Sequence, residues 1–312
     1  MITPPTLEGV PVTHRLLAIA VAALWGVNFL AIHASLDQFP PLLLGALRFG
    51  LLAIPTVLFV PRPAVRLRWL LGYGLGFGTL QFVGLNLGMA AGFPPGLASL
   101  VLQASAPFTV VLGALLLHER IGRRRALGIM VAILGLAVVG VSRAQAAPVI
   151  PFLLVLFGAL GWAFGNLASR LAAPDNPLHL TLWMSVIPPL PMLALSLVVE
   201  GPEAITTAIA TSFQPDAAGA WLGLAYTIVL ATVVGSGVWV WLMARHAAGT
   251  VAPFSMLVPV FGMTAAWLAL GEVPTPVELL GGLLVVGGVL AGSRAGGVRA
   301  QTQGPAPVGV TG

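Results

Sequence analysis

A helix needs about 20 mostly apolar residues to cross a bilayer, and apolar stretches of that length recur from end to end of this chain. Short gaps of Arg, Pro and acidic residues separate them. The spacing predicts spans near residues 15–35, 40–60, 69–91, 96–117, 124–142, 150–171, 177–199, 218–243, 249–270 and 276–293. Only 7% of the 312 residues are charged and the mean hydropathy is +1.01, whereas a soluble domain carries roughly a quarter charged residues. The expected fold is an all-α polytopic membrane protein with ten transmembrane helices. The first span is expected to be retained rather than cleaved as a signal peptide, because Trp25 and Asn28 interrupt its apolar centre and no clean small-x-small site follows.

Composition also excludes several chemistries. The chain has no cysteine, so disulfides and thiolate metal sites are ruled out. All 14 basic residues are Arg, and without a Lys there is no Walker A loop to drive ATP hydrolysis. The net charge of +5 is explained by basic loops flanking membrane spans, so no nucleic-acid partner is expected. Histidines 14, 33, 118, 179 and 246 lie near span ends, and no two have metal-ligand spacing on one helix face. No metal and no cofactor are expected.

The chain repeats itself. Residues 96–140 match 249–293 without a gap at a shift of 153, pairing Gly96 with Gly249, Phe108 with Phe261, Glu119 with Glu272 and Gly135 with Gly288. Trp25 pairs with Trp162 at a shift of 137, and Pro41 with Pro177 and Pro55 with Pro191 at 136. The division is a short N-terminus (1–14), a first repeat of helices 1–5 (15–142), a linker (143–149), a second repeat of helices 6–10 (150–293) and a disordered tail (294–312). Five spans per repeat turn the second copy over, giving two inverted five-helix repeats, an architecture of secondary transporters with a midplane site. One boundary follows from local chemistry. In "GEVPTPVELLGG", Thr275 is an N-cap, Pro276 takes the first helical position and Glu278 closes a capping box.

Arginine sets the expected orientation. Arg15, Arg62, Arg66, Arg68, Arg120, Arg123, Arg124, Arg125, Arg170, Arg245, Arg294 and Arg299 fall at the termini and even-numbered loops, while Arg143 alone falls in an odd-numbered loop. By the positive-inside rule both termini are cytoplasmic. The cluster Arg123 to Arg125 is replaced in the twin loop by Pro276, Val277 and Glu278, which marks it as a cytoplasmic anchor rather than a ligand site.

Polar groups inside apolar spans are the first place to look for function. Trp25 and Asn28 share a face of the first span, and Trp162 and Asn166 share a face of its counterpart, the sixth. Gln81 and Asn86 in the third span and Gln103 and Ser105 in the fourth add amides and a hydroxyl. Such groups either line a polar, aromatic-walled cavity suited to a small zwitterion or neutral solute, or tie neighbouring helices through backbone carbonyls. Arg48, the one cation well inside a span, has two readings, a partner for a substrate carboxylate or a structural brace, and the brace is expected. No carboxylate lies mid-span, so the usual acidic proton relay is missing. The glycines of "GYGLGFG", Gly84, Gly88 and Gly92, and those of the tenth span (281, 282, 287, 288, 292) read as close-packing ridges. The last set also suggests a homodimer through helices 5 and 10.

"LWGVNF", "ALRFG", "GLASLVLQASAPFT", "HER", "GWAFGN" and "VAPFSMLVPVFG" are similar to the EamA family of the drug/metabolite transporter superfamily, over about residues 14–293. "GLASLVLQA" and "APFSMLVPV" together resemble the branch that exports O-acetylserine and cysteine. The resemblance implies a cavity among helices 1–4 and 6–9, helices 5 and 10 as scaffold, and efflux of small amino acids or related metabolites across the bacterial inner membrane. It implies that Trp25, Asn28, Gln81, Gln103, Trp162 and Asn166 face the substrate, with Arg48, Asn86, Ser105, Glu119 and Glu272 in structural or gating positions. Where the family often has Glu-Arg after the ninth span, Val273 follows Glu272 here. A permease for a drug or sugar derivative is the alternative. A lipid-modifying enzyme would need a cluster of carboxylates or histidines that the spans lack.

Overall fold

The computed structural model describes residues 11–146, 148–246 and 248–293, so the tail at 294–312 and most of the 1–14 segment lie outside the described residues. The helices are α1 (Val12–Leu36), α2 (Pro41–Phe59), α3 (Leu67–Ala90), α4 (Pro95–Leu117), α5 (Arg123–Ala146) and α6 (Ile150–Ala172). They continue as α7 (Pro177–Val199), α8 (Pro202–Thr211), α9 (Pro215–Arg245), α10 (Ala252–Leu270) and α11 (Pro276–Ser293). Among the described residues, nine helices are long and apolar enough to cross a membrane, and a shorter apolar helix spans Pro276–Gly292. The chain is a multi-pass membrane protein.

Two features depart from the expected pattern. The stretch between the seventh and eighth spans contains α8. Gly201 at φ 85° turns the chain, Pro202 starts the helix and Glu203 sits in its first turn. Ile205 and Ala208 bury its inner face against Leu43, and its 10 residues are too few to cross a bilayer. Helix α5 also runs on to Ala146, into the segment read as a linker.

Two spans widen into π-helix at their centres, α3 over Gly74–Leu80 and α9 over Tyr226–Gly235. In each, a threonine hydroxyl donates to the carbonyl five residues back, Thr79 to Gly74 at 3.3 Å and Thr232 to Thr227 at 2.8 Å. Both pairs stand 153 residues apart, so the repeat's spacing holds through the third and eighth spans. Widened turns of this kind concentrate at functional sites.

Glycine ridges bring the helices together. A Cβ on Gly76 would lie 2.6 Å from the Gly165 nitrogen and one on Gly84 2.5 Å from that of Gly158, so α3 and α6 meet backbone to backbone. Gly92 departs from that ridge: at φ 91° it forms the turn after α3 and has open space around it. Most tenth-span glycines face α5 of the same chain. Gly281 meets Gly135 and Val139, and Gly288 lies against the Gly128 carbonyl. Gly282 instead meets Leu100 of α4, and Gly287 has open space around it.

Adjacent glycines give a controlled prediction. Gly288→Leu drives a Cβ to 2.5 Å from the Gly128 carbonyl oxygen, whereas Gly287 has nothing within 4 Å. Gly288→Leu is expected to destabilise the protein by at least the about 1–3 kcal/mol of ordinary overpacking, and Gly287→Leu by far less. Thermal unfolding in detergent reads the difference, and equal melting temperatures would refute the α5–α11 seam.

Candidate functional site

The end of the bundle poor in arginine is tied together by carboxylates from other helices. Helix α2 follows Pro40 and Pro41, so no local side chain caps its N–H groups. Glu200, at the end of α7, accepts from Leu42 N–H at 2.6 Å and Leu43 N–H at 3.1 Å, and from the Ser196 hydroxyl at 2.5 Å. Helix α4 begins after Pro94 in the same way, and Glu272 Oε2 accepts from Gly96 N–H at 3.2 Å. The expected capping box of α11 is present: Thr275 N–H donates to Glu278 Oε2 at 2.8 Å, and Glu278 N–H to Thr275 Oγ1 at 3.2 Å. The acidic residues of this end thus answer exposed helix N-termini. The uncapped Pro-Pro start of α2 was the signal that an outside acceptor was needed.

Helices α4 and α10 behave differently at the two ends. At the arginine-poor end they touch directly, with a Cβ on Gly96 only 3.0 Å from Ala266 Cβ and one on Gly262 only 2.5 Å from Ser99 Oγ. Toward the arginine-rich end α4 leans on α6 instead, and Asn166 Nδ2 donates to Thr109 Oγ1 at 3.2 Å. There Glu119, the repeat twin of Glu272, pairs with Arg170 at 2.5 Å, with 38% and 48% of the two side chains exposed. His14 and His246 also meet at this end, Nδ1 to Nε2 at 2.7 Å, tying α1 to α9. Their separation of 232 residues hid that contact from the sequence.

Between the ends, most of the polar residues singled out in sequence fall near the middle of their helices, while Asn86 lies one turn from the end of α3. Their donors serve neighbouring backbone and side chains. Trp25 Nε1 donates to the Ala231 carbonyl at 2.9 Å and its ring packs 5.2 Å from Trp239. Gln103 Nε2 reaches the Ser255 carbonyl at 3.4 Å. Pro259, four residues on, offers that carbonyl no N–H, and it accepts instead from Val258 N–H, three residues on, and from Gln103. Asn86 Nδ2 donates to the Pro41 carbonyl at 3.0 Å. Trp162 stacks edge-on against Phe77 at 5.8 Å. Ser105 is buried, and its carbonyl accepts from the Thr109 hydroxyl at 2.6 Å.

The acceptors are another matter. Asn28 Oδ1, Gln81 Oε1 and Asn86 Oδ1 are buried with no hydrogen-bond partner, as are Nε and Nη1 of Arg48. The Arg48 guanidinium lies 4.0 Å over the Phe82 ring and 5.3 Å from that of Phe49. Its Nη2 donates to Thr232 Oγ1, in the widened turn of α9, at 3.1 Å. A chain of contacts therefore runs from Trp239 and Trp25 through α9 to Arg48, Phe82, Phe77 and Trp162, drawing on both halves. Two concavities open elsewhere, at the arginine-poor end. One of about 180 Å³ lies beside Pro94, Gly96, Met263, Glu272 and Glu278, and a shallower one of about 620 Å³ beside Asp37, Gln38, Glu200, Glu203 and Thr211. None of the six residues expected to contact substrate lines either.

Comparison with known proteins bears on this arrangement. A probable amino-acid metabolite efflux pump of Salmonella typhimurium is 40% identical over 279 residues, covering 88% of this chain and 92% of that protein. The protein of the same description from Escherichia coli is 38% identical with the same coverage. A solved crystal structure superposes with a TM-score of 0.56 over 90% of this chain and 96% of that one; at 21% identity it bears on the fold alone. The EamA-like transporter family matches twice, over residues 14–141 and 149–293, and the chain belongs to that family.

Proposed function

We propose that the protein is a secondary transporter that exports small amino acids or related metabolites, cysteine-like and O-acetylserine-like, across the bacterial inner membrane by alternating access. The observation that carries the reading is the midplane band of unpartnered amide oxygens and guanidinium nitrogens, fed by both halves, beneath an end sealed where Glu272 caps α4. The names of the two pumps reported above agree with it. In this reading all ten spans cross, the halves are inverted repeats, and both termini are cytoplasmic. The end where Glu272 caps α4 then faces outward, the side on which an exporter releases its solute. Asn28 and Gln81 offer acceptors to the solute, Trp25 and Trp162 form its walls, and Gln103 and Asn166 hold the helices that move. The three-residue 3₁₀ turn at Leu102–Ala104 and the segment Ala252–Leu257 are repeat counterparts in α4 and α10 and supply hinges beside Pro107 and Pro259. The outer faces of α5 and α11, with Leu127, Met130, Ile133, Leu280 and Leu283 exposed, suit acyl chains.

Two experiments test this reading. Proteoliposomes are expected to move radiolabelled cysteine or O-acetylserine down a gradient, and flux equal to that of empty liposomes from folded protein would sink it. Repeating the flux with a pH gradient decides proton coupling. Sidedness has its own test because the chain lacks cysteine. Arg123→Cys is expected to resist an impermeant thiol reagent on intact cells and Pro274→Cys to react; the reverse pattern would invert the topology.

A further inference from the structure

We propose that Arg48 is the anchor for the substrate's carboxylate, which makes the solute class α-amino acids and their side-chain derivatives rather than neutral or purely cationic metabolites. The inference rests on the transport reading above and adds to it the group that selects the solute. Its first support is electrostatic. Arg48 is 8% exposed and sits seven residues into the 19-residue α2, near the depth of Trp25, Gln81 and Trp162 in their own helices. All nine acidic residues of the chain lie outside the interiors of the spans. Among the described residues no carboxylate therefore stands at that depth to balance the charge, and an intramembrane cation marks a substrate or ion pathway. The acid nearest along α2, Glu200, has both oxygens committed to Leu42, Leu43 and Ser196.

The second support is the repeat. If the fold needed a cation here, the inverted copy would need one too. The counterpart of Arg48 at the shift of 136 is Met184, 1% exposed and packed against Gly78 beside Thr79, the twin of Thr232. The same corner of the bundle thus closes around an apolar side chain in one half and a guanidinium in the other. Packing is satisfied by either. A solute bound between two halves has one carboxylate and needs one anchor.

The third support is the donor and acceptor balance. Thr232 and the rings of Phe82 and Phe49 hold the guanidinium by one nitrogen and one face, which leaves the Nε and Nη1 donors, on different edges of the plane, without partners. An unpartnered guanidinium N–H is a charge-assisted donor for a carboxylate oxygen. Asn86 Oδ1, one turn along α3 from Phe82, is an unpartnered acceptor fit for an ammonium. A zwitterion supplies both complements at once.

The test compares cysteine with cysteine amide, and O-acetylserine with its amide, as competitors of flux and as stabilisers of the purified protein against heat. Wild type is expected to prefer each acid over its amide by about 10- to 100-fold, the worth of charge-assisted bonds. Arg48→Met, which copies the twin position, is expected to fold, to lose affinity for the acids and to bring the two affinities within about threefold; Arg48→Lys should keep part of the preference. An unchanged acid-to-amide ratio in Arg48→Met would overturn the anchor while leaving transport standing. If Arg48→Met fails to fold, the anchor stands or falls on the preference of wild type and of Arg48→Lys. A wild type that neither moves nor is stabilised by the acids would overturn both readings.

Discussion

The double variant Gly96→Cys with Ala266→Cys is expected to transport at near wild-type rate when reduced and not at all when oxidised. A Cβ on Gly96 would stand 3.0 Å from that of Ala266. Disulfide Cβ atoms are about 3.8 Å apart, so relaxation of under an ångström forms the bond. The link would staple α4 to α10 beside the Glu272 cap, and an exporter that must open this end to release its solute would be locked. Reductant should restore flux, and each single variant should transport as the reduced pair does. The experiment has no background thiol because the chain contains no cysteine. Full flux after complete cross-linking would show that α4 and α10 do not separate during transport, and would remove this gate from the proposed cycle. The effect is all-or-none, which makes it the sharpest available test of alternating access.

What the sequence could show follows from where order is local and where it is not. The capping box of α11 was readable in sequence because Thr275 and Glu278 are three residues apart and need only each other. The spans were readable because hydropathy is a property of each stretch by itself. The seals were not, since Glu200 and Leu42 are separated by 158 residues and Gly96 and Glu272 by 176. Periodicity reports that a helix has a small-residue ridge but not what lies against it, so the contact of Gly281 and Gly288 with α5 could not be read from the sequence. Arg48 shows the same limit in a charged group. Its depth was legible, and the absence of mid-span acids was legible, but the unpartnered Nε and Nη1 were not. The π-helical turns left no signature in composition. Their trace was the recurrence of Thr79 at Thr232 with the shift of 153, a match among apolar residues that carries meaning only once both hydroxyls are seen to bond five residues back.

Glu200→Ala is expected to destabilise the protein by about 1–3 kcal/mol, the range for leaving buried N–H donors unsatisfied, and to lower the melting temperature by a few degrees. Leu42 and Leu43 are 1% and 2% exposed, so water cannot readily replace the lost carboxylate at the N-terminus of α2. Proline at positions 40 and 41 offers no side chain to take over. Glu200→Gln keeps one oxygen for one of the two N–H groups and is expected to recover roughly half of the loss. Glu203→Ala is the control: that carboxylate sits in the first turn of α8 at the same end, in an exposed position where the helix dipole is worth about 0.3–1 kcal/mol. Flux should report the same contact in a second way. The α2 terminus is held to α7 across the two halves only through Glu200 among the hydrogen bonds described there, and Arg48 rides on that helix. Loosening it should therefore raise the concentration of amino acid needed for half-maximal flux as well as lower stability. A melting shift no larger than that of Glu203→Ala would mean that the carboxylate does not hold α2, and the account of a carboxylate-sealed end would fail at its strongest contact.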